Sequence, residues 1–287
     1  MTQNNTIIQS GDTCLLIRSA QPEDKNTLSA LAYRAYKNRF FNDEVTDKVG
    51  GSLKKFPDLV PDDQNGTGQN LAYFQKYWDS TMPRLNDENA DPEFTCYVAE
   101  LLQEDGTSGP IIGFIKGDSG SLDSDLYSDY EKENEKRLQQ QFNACAKKQP
   151  IALPDSPTRI AELGSLYIDP NYQFTKVGRA LTQTFTVDML NRGYDAMVTR
   201  CYSENNSQGF FEKMGADLFT TCDIPQTFEN GKGTQGDLTL PGETLYWSKA
   251  QMTALTQTDV MALPRGQRVE ASPEKTRQRN QTKRFKF

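Results

Sequence analysis

The chain contains no histidine among its 287 residues. That absence removes the commonest general base, the commonest transition-metal ligand and every Ser/His or Cys/His catalytic pairing. Acid–base chemistry must therefore come from Glu, Asp, Tyr, Cys, Lys or a relayed water. Cysteine is scarce too: Cys14, Cys96, Cys145, Cys201 and Cys222 are scattered and odd in number. No pair has metal-ligand spacing, so neither a disulfide framework nor a zinc site is indicated and no metal is expected. Each cysteine reads as a small buried hydrophobe. Apolar residues make up only 36% of the chain and the mean hydropathy is −0.72. No apolar run approaches the roughly 20 residues that a bilayer span requires. Asn4, Asn5, Gln9 and Asp12 interrupt any signal-like apolar segment. The expectation is a soluble, cytoplasmic protein with no membrane partner and with long polar loops around one core.

Negative charge dominates, but unevenly. From Pro264 onward eight basic residues (Arg265, Arg268, Lys275, Arg277, Arg279, Lys283, Arg284, Lys286) face two acidic ones (Glu270, Glu274), so this tail carries +6 and the remainder −13 of the net −7. An acidic body with a basic tail does not match a dedicated nucleic-acid binder, although the tail alone suits anionic partners.

Organisation follows from periodicity. Residues 1–12 read as a flexible leader and 264–287 as a disordered basic tail. Between them, 13–263 form a single domain interrupted by an insertion at 118–158. Cys14–Arg18 reads as a strand, and Ser19–Asp24 starts a helix with Leu28, Leu31, Ala32, Ala35 and Tyr36 at helical spacing. A second helix is expected over Asn70–Met82. Phe94–Leu102 and Ile111–Ile115 form an antiparallel hairpin. The insertion opens acidic, with Asp123, Asp125, Asp129, Glu131, Glu133 and Glu135 opposed over 122–135 only by Lys132. This is either an attractor for a cationic acceptor or a solvated face. A strand at Arg159–Ile168, a loop and a helix stopped by Gly193 follow. Then come a strand at Ala196–Cys201, a short helix at Ser207–Met214, and closing strands at Asp217–Cys222 and Glu243–Ser248. The fold class is α/β of a mixed, α+β-like kind: a central mixed sheet flanked by helices.

The chemistry concentrates after the insertion. In Ala161-Glu-Leu-Gly-Ser-Leu-Tyr-Ile-Asp-Pro-Asn-Tyr-Gln173 and Phe174-Thr-Lys-Val-Gly-Arg-Ala-Leu181, a strand turns at Asp169-Pro170 and a loop feeds a helix start. A helix start presents unpaired N–H groups and a positive dipole end, which suits a pyrophosphate. Gly178 permits close backbone approach, and Lys176 and Arg179 add positive charge.

This segment resembles motif A of the GNAT superfamily of N-acetyltransferases, with pattern Q/R-x-x-G-x-G/A. Gln173 stands at the first position and Gly178 at the last, while Lys176 replaces the usual middle glycine and Phe174 another frequent one. A non-glycine residue still presents its N–H if its φ is negative. Leu16–Asp24 is similar to the family's opening strand and first-helix start, and Asn205-Asn-Ser-Gln-Gly-Phe-Phe-Glu-Lys-Met-Gly-Ala216 to motif B. The resemblance implies acetyl-CoA as co-substrate, held by Gln173, Phe174, Thr175, Lys176, Val177, Gly178, Arg179 and Ala180. A backbone N–H near Leu166, Tyr167 and Ile168 would polarise the thioester.

The resemblance also implies direct transfer to an amine acceptor, small or peptidic. Glu162 stands where glutamate-using members place their base; strand alternation would put it on one face with Gly164, Leu166 and Ile168. The alternative is a carboxylate paired with Arg159 or Arg200. Phe211 occupies the position of a tyrosine acid found in many members, so Tyr202, Tyr167 or solvent would protonate the thiolate. Phe211 itself packs on the pantetheine arm or in the core. Asn205 or Asn206 bonds that arm or caps the adjacent helix. The competing function is a catalytically reduced acyl-CoA-binding or regulatory protein with the same fold.

Overall fold

Eight strands hydrogen-bond into one sheet among the described residues of this computed structural model, which cover 6–10, 13–49, 53–85, 94–103, 105–119, 159–203, 207–229 and 235–262. The strands are β1 (Thr6–Ser10), β2 (Thr13–Ser19), β3 (Phe94–Leu102), β4 (Ser108–Ser119), β5 (Ile160–Ile168), β6 (Ala196–Tyr202), β7 (Asp217–Glu229) and β8 (Gln235–Ser248), ordered β1-β2-β3-β4-β5-β6-β8-β7. All neighbours are antiparallel except β5 and β6. That single parallel step needs a crossover, which the segment between Ile168 and Ala196 provides. The mixed α/β expectation holds.

Helices cover both faces. On one side lie α4 (Val177–Asn191), α5 (Gln208–Lys213) and α6 (Lys249–Gln257), packed through Leu181, Phe185, Met189, Phe211 and Met252 on Leu163, Met197 and Trp247. On the other lie α1 (Lys25–Phe41) and α3 (Leu71–Thr81), packed through Leu28, Tyr36, Phe74 and Trp78 on Val98 and Phe114; the short α2 (Asp43–Val49) follows α1. Asn70 caps α3 by accepting from the Tyr73 N–H at 2.9 Å, which fixes its start one residue inside the expected range. Gly193 terminates the α4 segment with φ +83°, a conformation glycine adopts without steric cost. No helix among the described residues is long and apolar enough to cross a membrane.

Three expectations need correction. Within the supposed leader, residues 6–10 are strand β1, paired with β2 from Thr6↔Ile17 to Ser10↔Thr13. The β-branched Thr-Ile-Ile run favours a strand, and Ile8 packs against the core. The closing strands also extend far beyond 217–222 and 243–248. Their outer halves are held because Phe228, Leu238 and Leu240 join the cluster under α1 and α3. Helix α6, absent from the pattern reading, is started by a reciprocal Ser248–Gln251 capping box. The insertion beyond Ser119 and the basic tail lie outside the described residues.

The sheet carries one irregularity that shapes the site. Across β4 and β5, Lys116 faces Ser165 but Gly117 faces Leu163, so Gly164 is an extra residue, a β-bulge. Gly117 is tightly enclosed at this point: a Cβ there would stand 2.3 Å from the Glu162 carbonyl oxygen and 2.3 Å from the Phe185 ring. Gly117→Ala is therefore expected to cost about 1–3 kcal/mol, lowering Tm by about 3–10 °C for a chain of this size. An unaltered melting curve would mean the bulge is not packed as described.

Candidate acyl-transfer site

The bulge resets which way β5 points its side chains. Ala161 and Leu163 face the α4 side; after Gly164, Leu166 and Ile168 face that side again, while Tyr167 faces α3. The odd spacing from Leu163 to Leu166 breaks the period of two. Glu162 thus shares its face with Tyr167 and not with Leu166 and Ile168, which corrects the alternation argument.

Next to the bulge, β5 and β6 part. Their parallel pairing runs from Ile160↔Ala196 to Leu163↔Thr199 and ends there. The buried Thr199 hydroxyl donates to the Leu163 carbonyl at 2.8 Å, closing the ladder at the last paired step. Residues 164–168 of β5 and 200–202 of β6 continue without mutual pairing, so a wedge opens between them. Backbone N–H groups of Leu166, Tyr167 and Ile168 lie along this part of β5.

At the mouth of the wedge the chain turns. Asp169, buried, accepts from the Asn171 N–H at 3.0 Å and takes an ion pair from Arg34 at 2.7 Å, anchoring a short 3-10 turn over Pro170–Tyr172. Gln173 is extended, and Thr175 donates its hydroxyl to the Tyr172 carbonyl. Phe174 and Lys176, at the two positions where the motif favours glycine, adopt φ +68° and +71°. Negative φ was the condition expected of them; the loop keeps the glycine-type backbone instead, at a cost of order 1–3 kcal/mol per residue. Left-handed Lys176 is the N-cap of α4. Its carbonyl already accepts from Arg179 N–H at 2.9 Å and Ala180 N–H at 3.1 Å. The first-turn donors left for an anion are those of Val177 and Gly178. Val177 and Ala180 bury their side chains in the core, so Val177 offers a ligand only its backbone.

The two cations of the loop are engaged by the chain's own C-terminal segment. Lys176 Nζ donates to the Met261 carbonyl and Arg179 Nη1 to the Val260 carbonyl at 3.2 Å. Gln183 reinforces the contact, donating to the Leu255 carbonyl at 2.9 Å and the Thr258 carbonyl at 2.7 Å. Their charge remains at the positive end of α4, but these hydrogen bonds go to protein carbonyls.

Glu162 meets Arg200, one of the two partners the sequence offered. Arg200 Nε and Nη2 both donate to Glu162 Oε1, at 2.9 and 2.7 Å. The other oxygen, Oε2, has no partner among the described residues, and the Glu162 side chain keeps 20% exposure. An oxygen with that access can accept a proton or position a water. Arg159 instead stacks on Tyr194 and donates to the Arg192 carbonyl.

Tyr202, at the end of β6, and Tyr167 flank the wedge on the α1–α3 side. Burial raises both phenols well above their ordinary range, so both are neutral hydrogen-bond donors at physiological pH. Phe211 packs edge-on against Trp247 in the core, with centroids 5.8 Å apart. Its neighbour Phe210, which the pattern reading overlooked, lies beside the helix start: a Cβ on Gly178 would be 3.4 Å from its ring and 3.7 Å from Leu166. Asn205 and Asn206 lie outside the described residues. The Cys96 thiol is pushed up to about 12 by burial and is inert as a nucleophile.

The family model described as the Acetyltransferase (GNAT) family matches residues 67–216. No curated protein matches by sequence. Similar solved structures include a PaiA N-acetyltransferase from Thermoplasma acidophilum in complex with coenzyme A (15% identity, 82% of this chain and 98% of that one, TM-score 0.43). A ribosomal-protein-alanine N-acetyltransferase from Brucella melitensis (15%, 81% and 99%, TM-score 0.44) and a polyamine N-acetyltransferase from Drosophila melanogaster (14%, 82% and 99%, TM-score 0.44) are comparable. The family match spans α3 and α4 together with the bulged strand, the wedge and the loop, and by it the chain belongs to the GNAT acetyltransferase family.

Proposed function

We propose that the protein transfers an acetyl group from acetyl-CoA to a primary amine by direct attack within a ternary complex. The observation that carries this reading is the wedge between β5 and β6, opening onto the α4 start on one face and onto Glu162 on the other. A pyrophosphate would take the Val177 and Gly178 N–H groups under the positive end of α4, with Lys176 and Arg179 adding charge. Gln173, Phe174 and Thr175 would frame that loop. The pantetheine arm would lie in the wedge past Leu166, with Asn205 or Asn206 as further contacts, and a β5 N–H near Tyr167 would polarise the thioester carbonyl.

Glu162, through Oε2 or a water, would accept the ammonium proton, and holding both reactants in one cleft supplies much of the acceleration. Tyr202 would donate a hydrogen bond toward the departing sulfur; a thiolate leaves without full proton transfer. The second reading, an acyl-CoA-binding regulator, draws on one observation: Phe211, where many members carry a tyrosine, is a core residue without a proton to give.

Acetyl-CoA at a hundredfold excess over its Kd is expected to stabilise the fold by about 2.7 kcal/mol, visible as a rise in Tm; no shift at millimolar ligand removes the cofactor assignment. Free-thiol release across an amine panel separates the two readings. Release with at least one amine supports transfer, and silence throughout together with a Tm rise supports the binder.

A further inference from the structure

Lys176, Arg179 and Gln183 stand three and four residues apart, so they share the face of α4 that meets the C-terminal segment. Residues 258–262 of that segment run back along α4 toward its start. Gln183 Nε2 donates to the Leu255 and Thr258 carbonyls, Arg179 Nη1 to that of Val260, and Lys176 Nζ to that of Met261. Apolar anchors hold the segment down: Leu255 and Val260 are fully buried in the cluster that contains Val177, Ala180 and Leu181. Asp259 folds its end, accepting from the Met261 N–H at 3.1 Å and the Ala262 N–H at 3.0 Å. The Thr258 hydroxyl donates to the Ala254 carbonyl at 2.8 Å. The result is a strap laid along the first turns of α4.

The strap acts on a strained residue. Lys176 holds φ +71° and ψ −1° at a position where the related motif favours glycine. In that conformation a Cβ crowds the following carbonyl. The strain corresponds to a factor of about ten or more against the left-handed form of the loop. The Lys176 ammonium, however, is tied to the Met261 carbonyl, and a side chain fixed at its tip restricts how its own backbone can turn. Because Lys176 is also the N-cap of α4, its conformation sets where the Val177 and Gly178 N–H groups point. Gln183 secures the other end of the strap, supplying donors at and just beyond the end of α6, where a helix leaves its carbonyls unpaired.

We infer that the strap stands in for the missing glycine: docked through Gln183, residues 258–262 hold Lys176 left-handed and so preorganise the loop that takes the pyrophosphate. Gln183 is then a positioning residue, acting on acetyl-CoA affinity through Lys176. This inference rests on the cofactor reading proposed above. A strap that instead masked the Lys176 and Arg179 charges would act with the opposite sign, and loosening it would tighten acetyl-CoA binding. The buried anchors favour preorganisation. Leu255 and Val260 belong to the same core as α4, so the strap cannot withdraw without exposing apolar surface.

The test is a mutant cycle on the full chain, with acetyl-CoA affinity measured by calorimetry and Tm by circular dichroism without ligand. Lys176→Met and Lys176→Gly both remove the ammonium, but only the first must bear a side chain on the left-handed backbone. Lys176→Met is expected to bind acetyl-CoA about tenfold more weakly than Lys176→Gly. Gln183→Ala is expected to raise the Kd about tenfold in the wild-type background, but by less than about twofold in Lys176→Gly, where the loop no longer needs the strap. Without ligand, Lys176→Gly should shift Tm more favourably in the Gln183→Ala background than in the wild type. Equal Kd values for the two Lys176 variants, an equal effect of Gln183→Ala in both backgrounds, or tighter binding in Gln183→Ala overturns the inference while leaving cofactor binding intact. If Gln183→Ala does not fold, the comparison of the two Lys176 variants decides. If the wild type binds no acetyl-CoA, the cofactor reading fails and the Tm cycle decides alone: a background-dependent shift supports the strap, and an additive one overturns it.

Discussion

Glu162→Gln is expected to lower kcat by about a hundredfold to ten-thousandfold, the usual worth of a positioned general base, with the acetyl-CoA KM essentially unchanged. The amide keeps the size of the carboxylate and one oxygen for Arg200, but it has no basic oxygen for the amine proton. The proposed cofactor loop lies on the other side of β5, because the Gly164 bulge turns Glu162 away from Leu166. A split between kcat and acetyl-CoA KM follows from that geometry. Arg200 complicates the outcome, since it loses a half-buried counter-charge. Arg200→Met separates the two effects: it abolishes the ion pair but leaves the carboxylate in place, so it should lower Tm and retain most of kcat. Equal losses of rate in the two variants, or full activity in Glu162→Gln, would reduce Glu162 to a structural partner of Arg200.

Alkaline solution is expected to unfold the protein cooperatively between about pH 10 and 12. In an unfolded chain a phenol loses its proton near pH 10. Burial raises Tyr36, Tyr97, Tyr167 and Tyr202 well above that range, and Tyr246 to about 12. Above about pH 10 the unfolded state therefore binds fewer protons than the folded one, and stability falls as pH rises; below it both states are protonated and these groups contribute no slope. Each phenol contributes about 1.4 kcal/mol per pH unit once past its unfolded pKa. The first four together approach about 5 kcal/mol per unit, comparable with the whole stability of a typical domain. Phenolate absorbance and far-ultraviolet circular dichroism should then change together in one steep transition. Gradual ionisation of all twelve tyrosines near pH 10 with the dichroism intact would show the tyrosine cluster to be open to solvent.

The family and most of the element order, though not β1 or α6, were legible in the residues themselves. The runs Phe94–Leu102 and Arg159–Ile168 marked β3 and β5, helical spacing from Leu28 to Tyr36 marked α1, and Gly193 marked the end of α4; these are local signals that packing did not overturn. The resemblance to the family pointed to Glu162 as a base, and the absence of histidine favoured that reading.

Four features required tertiary structure, each for a physical reason. The bulge at Gly164 exists only in the pairing of β5 with β4, so strand alternation alone put Glu162 on the wrong face. Positive φ at Phe174 and Lys176 opposes their intrinsic preference and persists because the turn anchored by Asp169 and the docked Val260–Met261 segment hold the loop from both sides. The wedge is where a pairing stops, which no residue type encodes. Tyr36, Tyr73, Tyr167 and Tyr202 are far apart in the chain and meet only when α1 and α3 pack across the sheet. Local chemistry thus determined what kind of protein this is; long-range packing decided where its groups point.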